Sequence, residues 1–208
     1  DHALRGDALT DLATVNHANG DARTALEAYE EVLSWRNADR RVEALAAIAR
    51  LEVADLDSAE RALDRAAARL EADGDAVAAA LTDSFGAIVR CTRGMVDEAC
   101  RELSRSRHVL ETQGCAAAVE THAQLETYVA RARASRATYD AAEDADHGEL
   151  AAAGTRVEAP ASTMPSFDLQ AAFPAIAALA AQRIVTRTFG AGAAAPAETR
   201  LGSQLRVA

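Results

Sequence analysis

The sequence predicts an all-α fold, a solenoid of antiparallel helical hairpins with a C-terminal extension. Half of the 208 residues are hydrophobic but only 4% are aromatic, and glycine (11) and proline (4) are scarce, which favours helices over an all-β fold. A repeat is also visible, because Asp57, Ala59, Arg61, Leu63, Leu70, Glu71 and Gly74 recur in the same order as Asp97, Ala99, Arg101, Leu103, Leu110, Glu111 and Gly114. Such a repeat indicates stacked hairpins, because one hairpin cannot bury its apolar face alone.

The first hairpin is predicted over residues 3–36. Apolar residues at helical spacing give its first helix one hydrophobic face, and a second run over about 22–35 gives the partner helix another. The turn between them is predicted at Gly20 and Asp21, because glycine ends helices and aspartate favours turns.

Three further hairpins are predicted over residues 40–72, 76–112 and 116–146. The turn of the second is expected at Asp55 and that of the third at Gly94. The second helix of the fourth hairpin has lost the apolar residues of the repeat. Its polar residues therefore predict the end cap that a helical stack requires.

The composition changes after Gly148. Residues 148–166 are rich in alanine, proline, serine and threonine, which is typical of a linker. An amphipathic helix is predicted within 167–190, and residues 191–208 are expected to be disordered.

Segment 173–189 is a candidate ligand for the chain's own repeats. It carries Arg183 and Arg187 beside an apolar stripe, and a linker would hold it near an acidic body at high effective concentration. Two positions are open, a lid across a groove and a cap at the open end of the stack. The cap is the simpler expectation.

The first hairpin resembles the tetratricopeptide repeat (TPR). The residues that carry the resemblance are Leu12, Ala13, Asn16, Gly20, Ala25, Tyr29 and Val32. The longer spacing of the later hairpins resembles repeats of large actinobacterial regulators and signalling ATPases. The resemblance covers about residues 3–146, and it implies a right-handed solenoid whose first helices line a concave groove that binds a protein or peptide.

The resemblance also implies which residues line the groove, and they come from the first helices of three hairpins: Thr10, Thr14, His17, Arg41, Ile48, Leu51, Ser84, Ile88 and Cys91. Arg41 is the only cation among them, so the basic clamp with which the family holds a terminal carboxylate is not matched. An apolar helix or extended peptide suits this set better, and hydrogen bonding to a ligand is the expected role of His17. Alternatively, these residues pack between neighbouring hairpins.

The net charge of −10 is unevenly distributed. Residues 151–208 hold five arginines against three acids, so the first 150 residues carry −12. An acidic body repels phosphate backbones, which argues against nucleic-acid binding. It would instead attract a basic partner.

The sequence contains no pattern that indicates catalysis, a cofactor or a metal. Cys91, Cys100, His108 and Cys115 lack the short Cys-x2-Cys spacing of zinc sites. The three cysteines form no disulfide framework, which predicts a cytoplasmic location. The longest apolar stretch, residues 171–181, is too short to span a bilayer, so no membrane contact is expected.

The sequence thus predicts a protein–protein interaction module, either an adaptor or the sensor part of a regulator. A self-associating structural protein is one alternative, with copies stacked edge to edge into a homo-oligomer. The other is a small-molecule-binding protein or enzyme built on a helical-repeat shell.

Overall fold

A computed structural model describes residues 2–35, 38–143 and 169–189 of the chain. These residues form eight α-helices and no β-strand: α1 (His2–Ala18), α2 (Ala22–Leu33), α3 (Arg40–Glu52), α4 (Leu56–Ala72), α5 (Ala76–Thr92), α6 (Val96–Gln113), α7 (Ala116–Glu143) and α8 (Leu169–Phe189). Each helix from α1 to α7 packs against the next one in the sequence. The prediction of an all-α fold is therefore confirmed.

One turn motif connects the early helices. Gly20, Ala54 and Gly74 adopt a positive φ. The residue that follows each of them is an aspartate, whose side chain accepts a hydrogen bond from the backbone N–H three residues further on. This aspartate begins the next helix by satisfying one of its unpaired N–H groups. The same short turn therefore recurs after α1, α3 and α4.

The alanines of the sequence repeat lie in the buried core between packed helices. Ala25, Ala59 and Ala99 are completely buried, each in the second helix of a pair. One turn later the repeat places a larger side chain, which is also buried: Tyr29, Leu63 and Leu103. Small residues allow neighbouring helices to approach, and the larger ones fill the space beside them.

The fourth predicted hairpin is instead a single long helix. We expected two helices within 116–146, whereas α7 continues without a break from Ala116 to Glu143. Residues 130–143 contain neither glycine nor proline and are dominated by alanine and arginine. These are strong helix formers, so the loss of the apolar repeat in this stretch does not end the helix.

Helix α8 lies across the first helices of the pairs. It packs against α7, α3, α1 and α5, and we call the surface that these four helices present to it the odd-helix face. A helix at the open end of the stack would contact the last helices, whereas α8 also contacts α1 and α3. Its position thus differs from the end cap that we expected. The predicted linker, 148–166, and the predicted disordered tail, 191–208, lie outside the described residues.

Candidate functional site

A buried polar cluster lies where the ends of α1 and α3 meet α8. It consists of His17, Tyr29, Glu52 and Arg183, and we call it the Glu52 cluster. The side chain of Glu52 is 1% exposed and that of His17 is 0% exposed. A carboxylate this far from water needs charged or hydrogen-bonding partners.

The helix ends position the two central groups of the cluster. His17 is the penultimate residue of α1, and Glu52 is the last residue of α3. Both helices end in the same turn, with a positive φ at Gly20 and at Ala54. The repeat therefore presents a side chain from the last turn of each helix at one edge of the odd-helix face.

Three hydrogen bonds hold the Glu52 carboxylate. His17 Nε2 lies 2.7 Å from Oε2, Arg183 Nε donates to Oε1 over 2.6 Å, and Arg183 Nη2 donates to Oε2 over 3.1 Å. The two contacts from Arg183 form a bidentate pair, the strongest arrangement between a guanidinium and a carboxylate.

Tyr29 completes the cluster on the far side of the histidine. Its hydroxyl lies 3.4 Å from His17 Nδ1, and the two rings meet edge to face. With its proton on Nε2, His17 donates to Glu52 and faces the tyrosine hydroxyl with its free lone pair. Burial raises the pKa of Tyr29 well above its usual value, so the hydroxyl stays protonated.

The Glu52 carboxyl is ionised despite its burial. Burial alone would raise its pKa, but the hydrogen bonds from His17 and Arg183, together with the charge of Arg183, outweigh that effect. The net result is a pKa below the usual value for glutamate. A group from the repeats and a group from α8 therefore keep this carboxylate charged in a dry site.

Arg183 and Arg187 also bind the ends of two helices. Arg183 Nη1 donates to the backbone carbonyl of Ala18 over 3.3 Å, and Arg187 Nη1 donates to the carbonyl of Glu52. The last carbonyls of a helix have no partner within that helix, and they carry the negative end of its dipole. The two arginines thus satisfy groups that α1 and α3 leave open.

The apolar side of α8 is also buried. Phe173, Ile176 and Ala180 are at most 3% exposed. At the other end of the helix, the Phe189 ring meets the Tyr128 ring edge to face at 5.2 Å, and the Arg131 guanidinium lies over it. Among the described residues, Leu12 is the exposed large hydrophobic side chain. With α8 in place, the odd-helix face therefore offers no large apolar patch within the described part of the chain.

The structure places the nine predicted groove residues in different settings. His17 belongs to the Glu52 cluster. Thr14, Ile48, Leu51, Ile88 and Cys91 are buried, Thr10 is half-buried and donates to the carbonyl of Gly6, and Ser84 is buried beside His122. Arg41 pairs with Asp39 and Asp75 at the starts of α3 and α5, whereas Glu52 is the last residue of α3.

Ser84 and His122 form a pair that resembles part of a hydrolase triad. Ser84 Oγ lies 2.9 Å from His122 Nδ1, and His122 Nε2 lies 3.4 Å from Glu126 Oε1. However, Ser84 is completely buried, and its hydroxyl donates to the carbonyl of Ala80 within its own helix. A nucleophile needs a free approach for substrate and a hydroxyl proton shared with its base. The pair therefore joins α5 to α7 as a structural contact.

A second group of charged residues lies between α4, α5 and α6. Arg90 pairs with Asp64 and with both oxygens of Glu102. Burial, together with the charges of Asp64 and Glu71, raises the pKa of Asp83 to about 6. The raised pKa predicts that this region contributes to a pH dependence of stability.

The described residues bring no three potential metal ligands together, so the cysteines and His108 do not converge on a metal site within these ranges. Burial raises the pKa of the Cys91 thiol, which makes it less reactive. Within the described residues, no helix is long and apolar enough to cross a membrane.

Comparison with protein-family models, with curated proteins and with solved structures finds no match.

Sequence reasoning placed Arg183 on a segment expected to pack on the repeats, but it missed Glu52 and the pairing of these two residues. The sequence did offer one weak signal, because Glu52 stands between the apolar residues Leu51 and Val53. It offered no means to pair this residue with Arg183, which lies 131 positions further along the chain.

Proposed function

We propose that this chain is a protein–protein interaction module of the helical-repeat type. The odd-helix face is its binding surface for a helix of another protein, and α8 occupies this surface as an internal ligand. In this proposal the helices form a TPR-like, right-handed solenoid, and the odd-helix face is its concave groove. The module acts as an adaptor or as the sensor part of a regulator.

The observation that carries the proposal is the position of α8. One helix packs against all four of α1, α3, α5 and α7, although it follows α7 in the sequence after 25 intervening residues. A surface that accommodates one amphipathic helix along its length is suited to accept another with the same pattern.

The packing of α8 supports a removable ligand more than a permanent core element. Its buried positions are four alanines and four larger side chains: Ala177, Ala178, Ala180, Ala181, Phe173, Ile176, Ile184 and Val185. An alanine buries less apolar area than leucine or isoleucine, so the four larger side chains carry most of the apolar contact. The helix also depends on ionic contacts, which a competing arginine-bearing helix can replace. Because α8 is tethered to the repeats, it has a high effective concentration at the odd-helix face. A partner in solution must therefore bind more tightly, or be more concentrated, to displace it.

The test compares two variants of the full chain as bait in a lysate of the source organism. Ala180→Glu places a charge at a completely buried position of α8 and should release this helix. Thr188→Glu places the same charge at an exposed position of the same helix and serves as the matched control. Captured proteins are then challenged with a synthetic peptide of residues 169–189 and reconstituted from purified components.

We expect the Ala180→Glu chain to retain proteins that the control chain does not retain, and the synthetic peptide to release them. The contrary result is a folded Ala180→Glu chain with a detached α8 that retains no protein the peptide can displace. The odd-helix face would then not be a binding surface for a helix of another protein.

A further inference from the structure

We infer that the odd-helix face selects a helix that carries two arginines four residues apart, with Glu52 and the terminal carbonyls of α1 and α3 as their receptor. This inference rests on the proposed function and specifies the partner of that surface. The occupant it predicts is an amphipathic helix with small or branched apolar residues ahead of an Arg-x3-Arg pair.

The receptor offers four acceptors to two guanidinium groups. Arg183 contacts both carboxylate oxygens of Glu52 and the carbonyl of Ala18. Arg187, one helical turn further on, contacts the carbonyl of Glu52. A planar guanidinium with several donors matches such a set of oxygens, whereas the single ammonium of lysine does not. The geometry therefore favours arginine over lysine at both positions.

The acceptors belong to the repeats and are oriented there. His17, from α1, binds the Glu52 carboxylate, and the Tyr29 hydroxyl lies beside the other ring nitrogen of His17. The Ala18 and Glu52 carbonyls are fixed by the ends of α1 and α3. When α8 leaves, the Glu52 carboxylate and the two carbonyls lose their guanidinium donors, and water replaces them. Such a site gains most from a ligand that supplies positive charge and donors together.

The arginines continue the apolar stripe of α8. Phe173, Ile176, Ala180, Arg183 and Arg187 follow one another at intervals of three and four residues. This spacing places all five side chains on one face of the helix. The face carries apolar side chains along its length, including the buried Ile184, and both arginines in its second half. The apolar residues and the arginines therefore fix the register of a bound helix together.

The experiment uses synthetic helical peptides and the full-length chain. The host is a full chain with Arg183→Gln and Arg187→Gln, so that its own α8 lacks the two arginines. Three labelled peptides of residues 169–189 are titrated: the native sequence, one with glutamine and one with lysine at both arginine positions. A second host, Arg183→Lys with Arg187→Lys, retains the charge and serves if the glutamine host does not fold.

We expect the native peptide to bind the glutamine host at least about 10-fold more tightly than the glutamine peptide, with the lysine peptide between them. Adding Glu52→Gln to the host should remove most of this difference. Equal affinity of the native and glutamine peptides would overturn the inference of arginine selectivity. It would leave the proposed function intact, because the odd-helix face would still bind a helix. Failure of every peptide to bind a folded host whose α8 exchanges rapidly would overturn the proposed function as well.

Discussion

Arg183 in α8 and Glu52 at the end of α3 form a bidentate ion pair across 131 residues of sequence, with both contacts at or below 3.1 Å. The carboxylate is buried, and its remaining partner, His17, comes from α1. The pair therefore connects the C-terminal helix to the first two helix pairs. Breaking such a pair from one side leaves a buried charge uncompensated, which is costly.

Replacement of Arg183 should loosen α8 more than replacement of Arg187. Arg183→Gln removes both contacts to the buried carboxylate. It should make the docking of α8 less favourable by about 2–4 kcal/mol. Arg187→Gln removes a contact from an exposed side chain to a carbonyl and should cost about 1 kcal/mol. Hydrogen exchange of the α8 amides measures both, with Arg101→Gln at an exposed position of α6 as the control. Equal effects of the two substitutions would contradict the central role of Glu52.

Acidification should release α8. The pKa of Glu52 is lowered in the folded chain, because its hydrogen bonds to His17 and Arg183 outweigh the cost of burial. Its contribution to stability is therefore present above the usual glutamate pKa of 4.5 and is lost as the pH falls through the lowered pKa of the folded chain. Urea denaturation between pH 3 and 7 should show this loss in the wild type. In Glu52→Gln the corresponding acid-side fall in stability should be smaller.

Asp83 should produce the opposite pH dependence. Burial and the neighbouring charges of Asp64 and Glu71 raise its pKa to about 6 from the usual aspartate value of 3.8. The folded state therefore holds this proton more tightly, and the resulting stability is lost as the pH rises from about 4 to about 6. Asp83→Asn should be near neutral at pH 4 and stabilising by about 1–2 kcal/mol at pH 8. A stability difference that does not change with pH would contradict this assignment.

The turn motif predicts a matched pair of substitutions. Ala54 has a φ of 67°, a conformation that is strained for a residue with a Cβ. Ala54→Gly should therefore stabilise the fold by about 0.5–1 kcal/mol. Gly74 has a φ of 82° and an open space around its Cα, so Gly74→Ala adds strain without a clash and should destabilise by about 1 kcal/mol. Thermal denaturation of both variants measures whether each substitution raises or lowers stability. Two changes in the same direction would contradict the proposed role of the positive φ in this turn.

The repeat could be predicted from the sequence because it depends on local spacing. Ala25, Ala59 and Ala99 recur in the buried core, and the Gly-Asp turns between helices are encoded within a few residues. The length of α7 was harder to predict, since the loss of an apolar pattern does not by itself end a helix. The partnership of Glu52 with Arg183 depends on tertiary packing between distant segments, which spacing along one chain does not encode.

Native-state hydrogen exchange of the full chain tests the central claim most directly, because it asks whether α8 leaves the odd-helix face as a unit. We expect the α8 amides to exchange through an opening that costs at least about 2 kcal/mol less than the opening of α3 and α5, with a weak dependence on denaturant. If the α8 amides instead exchange only with the global unfolding of α3 and α5, the helix is an inseparable part of the core and the account is wrong.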